Sequence, residues 1–445
     1  MYKKTQGGVY IQEKGEGMIK CAVNFITFMV ICLLSVTVVN ADVVICGENG
    51  EMALESLTPG EDLLLCPDVV HNFGGVYRLG DMQGSEVRST DPTVLARTTG
   101  TLNFSGAATR NLTFTGIDHT GSGSSHGFRF DNGTSDITIQ DSIIQQYAVG
   151  VYVKKRNGSD TVWNIKLYRN LIQNNLHQGV LGGGPGYEII NNTFLDNGSN
   201  GVYDHGIYFG CGDPGDGSPC PQLIKGNYIS GSSRSGSGAC QGTQIVAHGY
   251  LNETVVENNV IIEPDGNAVS TCYGIGLTEC CGQESTMSNI TIRNNVIVDN
   301  GRIGITLRGV TGADVHNNII YHHSGRDVGG KVAIQAQPSD SRPGTTVPTG
   351  DMRIFKNIID MSGRVNSGIW IWEGVSPPIS IANNRESYDT NSIFDLNEDG
   401  GIGPDDIGIL LSELGTTSEK SDLNSDGAVG LDDLGLLLHL YSAIS

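Results

Sequence analysis

Asn258-Asn259-Val260-Ile261, Asn294-Asn295-Val296-Ile297 and Asn317-Asn318-Ile319-Ile320 are copies of one short phrase, and the same phrase recurs in both directions. Looser copies are Arg169-Asn170-Leu171-Ile172, Asn191-Asn192-Thr193-Phe194, Gly226-Asn227-Tyr228-Ile229 and Lys356-Asn357-Ile358-Ile359, with Asp141-Ser142-Ile143-Ile144 as an earlier one. From Ser142 the spacings run 28, 22, 35, 32, 36, 23 and 39 residues. The floor near 22 residues is one structural unit and the excess is loop. A period of that size is the signature of a solenoid. Each unit carries a second strand of the form Gly-apolar-x-apolar, as in Gly127-Phe128-Arg129-Phe130, Gly206-Ile207-Tyr208-Phe209 and Gly304-Ile305-Thr306-Leu307. Alternation by two is strand periodicity with one face buried. The glycine reads as opening the turn into the strand. No helical period interrupts residues 100 to 380. Short strands without helices, and an Asn at the same place in each coil, predict a right-handed parallel β-helix with the Asn amides stacked as a ladder.

Composition agrees. The chain has 445 residues, 62 of them Gly, and only 17% charged. That glycine content disfavours a helical bundle. The net charge of -21 argues against a nucleic-acid partner, which needs a basic surface. Lys14 and Lys20 precede an apolar run from Phe25 to Val39, and Val39-Asn40-Ala41 offers a small-residue cleavage site. Residues 1–41 therefore read as a signal peptide, residues 42–390 as the β-helix and 391–445 as a separate acidic module. The competing reading of the apolar run is a transmembrane anchor, but Asn24 interrupts it and no stop-transfer segment follows. A secreted chain with no stable membrane insertion after cleavage is expected. Eight cysteines remain after position 41, an even number suited to an oxidising compartment. Cys46 with Cys66 and Cys211 with Cys220 are the expected local pairs. Cys240, Cys272, Cys280 and Cys281 are candidates for two more, with a zinc site as the rival.

Residues from about 100 to 385 resemble the right-handed parallel β-helix repeat proteins, which look like pectate lyases, alginate lyases and related enzymes. The resemblance specifies a fold and leaves the reaction open.

The tail repeats itself. Asp395-Leu396-Asn397-Glu398-Asp399-Gly400 returns as Asp422-Leu423-Asn424-Ser425-Asp426-Gly427, an offset of 27, and apolar residues at helical spacing follow each copy in phase. Calcium takes six to eight hard oxygens from loop positions 1, 3, 5, 7 and 12. These positions hold Asp395, Asn397, Asp399, Gly401 and Asp406, then Asp422, Asn424, Asp426, Ala428 and Asp433, with Gly400 and Gly427 at the sharp turn. Two Ca²⁺ sites are expected. Residues 393 to 442 resemble a type I dockerin, which implies a cohesin or scaffold partner. Gly403-Pro404-Asp405 and Gly430-Leu431-Asp432 depart from the Asn and Ser/Thr usual there.

On the second strand, outward residues alternate with apolar ones and include Arg129, Asp131, Tyr152, Lys154, Tyr208, Gln244, Thr306, Arg308, Gln335, Gln337, Trp370 and Trp372. Aromatics stack on sugars and cations pair with carboxylates, so Arg129, Tyr152, Gln244, Gln335, Trp370 and Trp372 are candidate contacts for an acidic polysaccharide. Asp204-His205, beside Tyr208 and ahead of the Gly210–Pro221 insertion, is the candidate acid–base pair. Arg308 and Lys154 are candidates for meeting a uronate carboxylate. The expected function is secreted polysaccharide degradation, by a lyase in preference to a glycosidase. The alternative is a noncatalytic glycan-binding or adhesin-like β-helix.

Overall fold

A computed structural model of the chain describes residues 2–4, 9–12, 42–154, 161–199, 203–212, 219–234, 238–264, 272–279, 287–323, 332–339, 348–361, 368–388 and 392–445. The apolar run at 25–39 and Cys280 and Cys281 lie outside the described residues. Near the start, Val9–Gln12 pairs antiparallel with Asp42–Ile45. From Asp42–Ile45 onward every pairing between named strands is parallel. One face stacks strands such as Ser135–Gln140, Trp163–Tyr168 and Tyr187–Ile190, up to Ser376–Ala382. A second face stacks the short strands that follow each Asn, such as Val260–Ile262, Val296–Val298 and Ile319–Tyr321. The third stacks the Gly-apolar strands from His126–Asp131 to Ile369–Ile371. The chain is thus a parallel β-helix. Its interior is one apolar column, including Phe104, Phe114, Phe128, Phe130, Ile189 and Ile292, all fully buried. The helix α1, Gly50–Glu55, seats Leu54 in the N-terminal end of that column.

The ladder explains the repeated phrase residue by residue. The first member of each pair turns the corner in the left-handed region: Asn191, Asn258, Asn294 and Asn317 have φ between 54° and 56°. Asn tolerates that region better than most side chains. The second member is buried. Asn170, Asn192, Asn227, Asn259, Asn295, Asn318 and Asn357 each pass Nδ2–H to the next Oδ1 over 2.9–3.1 Å, ending at the partly buried Asn384. Asn384 extends the ladder one coil beyond the expected repeat. A second, shorter ladder joins Asn175 to Asn197 at 2.8 Å on the next corner. The Asn259 side chain makes four bonds: it accepts from the Asn227 backbone and amide, and donates to Ile224 O and Asn295 Oδ1. Asn259→Ala should therefore cost about 3–5 kcal/mol, because it strands several buried groups at about 1–3 kcal/mol each. The denaturant midpoint measures this, and an unchanged midpoint would refute the ladder's energetic role.

The repeated glycines have a different cause from the expected turn. Cβ atoms at Gly127, Gly150, Gly179, Gly274 and Gly304 would each meet the carbonyl of the next coil at 2.6 Å. They are small because adjacent coils touch there.

The tail forms two loop-helix units, with α2 at Pro404–Ser412 and α3 at Leu431–Ile444. It is seated on the second face of the β-helix. Val296, Val298, Ile319, Tyr321 and Ile358 share one buried cluster with Phe394, Leu396, Leu410, Leu423, Leu437 and Leu440. Asp360 anchors the junction by accepting from Ser392 Oγ at 2.6 Å and from the Ile393 N–H at 2.9 Å.

Candidate functional site

The third face carries the expected outward column in register: Tyr152, Leu181, Tyr208, Val246, Gly276, Thr306, Gln335 and Trp370 lie on successive rungs. Outward direction does not mean access, and here the sequence reading needs correction. Gln244 is 1% exposed, donating to Ser232 O, and Gln335 is 2% exposed. Neither presents a surface to a polymer. Tyr152 and the stacked pair Trp370–Trp372, with centroids 4.8 Å apart, do reach solvent. Arg129 lies over the Tyr152 ring at 5.5 Å and pairs with Asp131 at 2.6 Å.

The densest chemistry surrounds Tyr208. The His205 ring stacks beside it at 5.8 Å, and the His248 ring of the next coil lies at 5.2 Å. His205 Nδ1 is 2.9 Å from Thr243 O. His248 Nδ1 meets Thr278 O, with Thr278 Oγ1 at 3.2 Å. A carbonyl only accepts, so both rings carry a proton on Nδ1. Burial lowers the His205 pKa to about 3, and the nearby His248 adds to the effect. It is a neutral imidazole at any working pH. Burial also raises the Tyr208 phenol. His248 and Thr278 belong to this cluster although they were not candidates. The His248-Gly249 dipeptide was the available signal.

Asp204 does not act with His205 as the adjacency suggests. It is buried, and its carboxylate faces His177 of the preceding coil, 3.3 Å from Nδ1. Neighbours in sequence point to opposite sides of a strand start. Lys154 lies two rungs before Tyr208, and Arg308 three rungs after it, so they stand about 10 and 14 Å away along the axis. Lys154 donates to Asn132 Oδ1 at 3.3 Å. Arg308 pairs with Glu279 at 3.3 Å. The proposed catalytic residues therefore share one face and do not meet at one point.

Cys211 and Cys220 pair beside this cluster, as Cys46 and Cys66 do elsewhere. Cys240 pairs with Cys272, which takes both sulfurs out of contention as metal ligands beside Glu263.

Buried histidines set an acid limit on the fold. His119 has its pKa lowered to about 4 by burial, with Gly127 O opposing. The unfolded chain takes up this proton below about pH 6.5 and the folded chain does not until about pH 4. Stability should be intact above pH 6.5 and fall as pH drops toward 4, by on the order of 3 kcal/mol for His119. A thermal midpoint that is flat from pH 7 to 4.5 would contradict this.

In the tail, Asp395 Oδ1 and Oδ2 accept from the Asp399 and Gly400 N–H groups, and Asp406 folds back to accept from Leu396, Asn397 and Gly403. The second loop repeats the pattern with Asp422, Asn424 and Asp433. Asp395, Asp406, Asp422 and Asp433 are 2%, 1%, 8% and 0% exposed. Among the described residues the acidic side chains of neither loop are drawn together closely enough to form a ready-made cation site, and Arg385 donates to the Asp422 carbonyl beside the second loop; a calcium ion would have to draw the loop ligands in around itself. Burial raises the Asp433 pKa, opposed by the Gly430 and Asn424 amides, with Asp432 and Asp422 adding to the rise.

No helix among the described residues is long and apolar enough to cross a membrane. Neither a protein-family profile nor a curated protein matches the sequence. Solved structures do match. The Dettilon tailspike protein is 14% identical over 73% of this chain, with a TM-score of 0.51. The Azotobacter vinelandii mannuronan C-5 epimerase A-module is 16% identical over 74% of it, with a TM-score of 0.50. The PL6 family polysaccharide lyase of Pseudopedobacter saltans is 15% identical over 79%, with a TM-score of 0.44. The chain spans 62% of the tailspike's length, 87% of the epimerase module's and 93% of the lyase's. What this chain shares with the first two is the fold.

Proposed function

We propose that the protein is a secreted enzyme acting on an acidic polysaccharide laid along the third face, by a lyase reaction at the Tyr208 cluster. The observation that carries this reading is the phenol of Tyr208 set between two imidazoles, each oriented by a backbone carbonyl at Nδ1. In the elimination a base takes the C5 proton of a uronate. The C–H electron pair forms the C4–C5 double bond, the C4–O bond breaks, and the leaving oxygen receives a proton. Tyr208 and His248 are the groups suited to these transfers, and the neutral, buried His205 orients the Tyr208 ring. Arg308 or Lys154 meets carboxylates at flanking sugars, at the distances given above. A structural neighbour acting at C-5 of mannuronan agrees with chemistry at that carbon. Incubation with uronate polymers should give a product absorbing as an unsaturated uronate. Binding without product would leave a glycan-binding protein, a reading favoured by the exposed Trp370–Trp372 platform. Neither product nor binding would leave an adhesin-like solenoid.

The tail, on this reading, binds two Ca²⁺ ions. Its resemblance to dockerins supports attachment to a cohesin-type scaffold through residues left exposed, such as Leu411 and Leu438 at equivalent positions of the two units. Calorimetry should count two calcium sites, and none would remove the metal reading.

A further inference from the structure

The seam between tail and β-helix holds a groove of about 850 Å³. That is within the range of ligand sites, which favour domain interfaces. One wall consists of the first corner residues of successive coils, Asn258, Asn294, Asn317 and Lys356. Asp426, Asp432 and His439 of the tail line the opposite side, and Ile319, Ile358 and Leu436 add apolar surface.

The wall of amides has a chemistry of its own. Asn294, Asn317 and Lys356 are exposed, and the side chains repeat at about 4.8 Å, the rung spacing. The left-handed backbone favours Asn but does not require it, because Arg169 and Lys356 hold the same corner at φ 53° and 54°. Each amide offers two donors and an acceptor, which suits a hydroxyl-bearing chain. The carboxylates of Asp426 and Asp432 on the far side disfavour an anionic polymer. We propose that this seam is a second carbohydrate site, which takes a neutral glycan segment on a different face from the Tyr208 cluster. Asn424, Ser425 and Asp426 belong to the second acidic loop, so the far wall is assembled only while that loop is folded. Calcium dependence of the site rests on the calcium reading of the tail; the site itself does not.

The test titrates the full chain with cellohexaose, mannohexaose and maltohexaose, with Ca²⁺ or with chelator. At least one probe should bind saturably. Asn258→Gly with Asn294→Gly removes two amides while keeping the left-handed corners free of strain, and should weaken binding at least about tenfold. Tyr208→Phe should leave this binding unchanged. Binding by none of the three probes overturns the proposal, as does undiminished binding in the double variant or loss in Tyr208→Phe. Undiminished binding in chelator overturns its calcium dependence. Because uronate lyase activity is read separately, failure at the seam is distinguishable from failure of the catalytic reading.

Discussion

Tyr208→Phe is expected to lower turnover of the uronate polymer by about 10²–10⁴-fold, the usual worth of a positioned proton-transfer group. The ring stays, so its contacts with His205 and His248 are kept and polymer affinity should change little. His248→Gln should give a loss of similar order. Full activity in both variants would move the chemistry elsewhere on the face. His205→Ala is a poorer probe, because His205 is buried and its loss leaves a cavity.

The second large effect concerns the tail. Phe394 is fully buried and meets Tyr321 of the β-helix edge to face, with centroids 6.5 Å apart. Phe394→Ala should destabilise the seated tail by about 3–5 kcal/mol. If the loops hold Ca²⁺ as proposed, chelation should act in the same direction, because the loops and the apolar cover are one folded unit. Hydrogen exchange gives the readout: amides of Val296–Val298, Ile319–Tyr321 and Ile358–Asp360 should lose protection in either case. Protection that stays unchanged while the tail unfolds would show that the β-helix does not need the cover.

The repeat was legible because one corner makes two separate demands, a left-handed first residue and a buried amide second, and Asn meets both. The two loop-helix units of the tail were legible because the acidic hexapeptide and the helix phase after it recur at one offset. Apart from the ladder, contacts between coils were not legible. Asp204 faces His177 of the preceding coil and His248 flanks Tyr208 from the next, and strand periodicity says nothing of either. Periodicity gave the direction of Gln244 and Gln335 but not what covers them. The seating of the tail did leave a trace. Val296-Ile297-Val298 is apolar on both faces, whereas Tyr228-Ile229-Ser230 is apolar at its centre alone, and only a covered outer face explains the difference.

The ladder has a consequence for how such a chain changes over generations. Each rung from Asn192 to Asn357 presents the same amide to both neighbours, so at this corner one such rung is an acceptable neighbour for another. A coil can be duplicated or deleted without a new joint being invented. The length of the molecule, and with it the number of sugars its faces can span, is then free to vary while the corner chemistry stays constant.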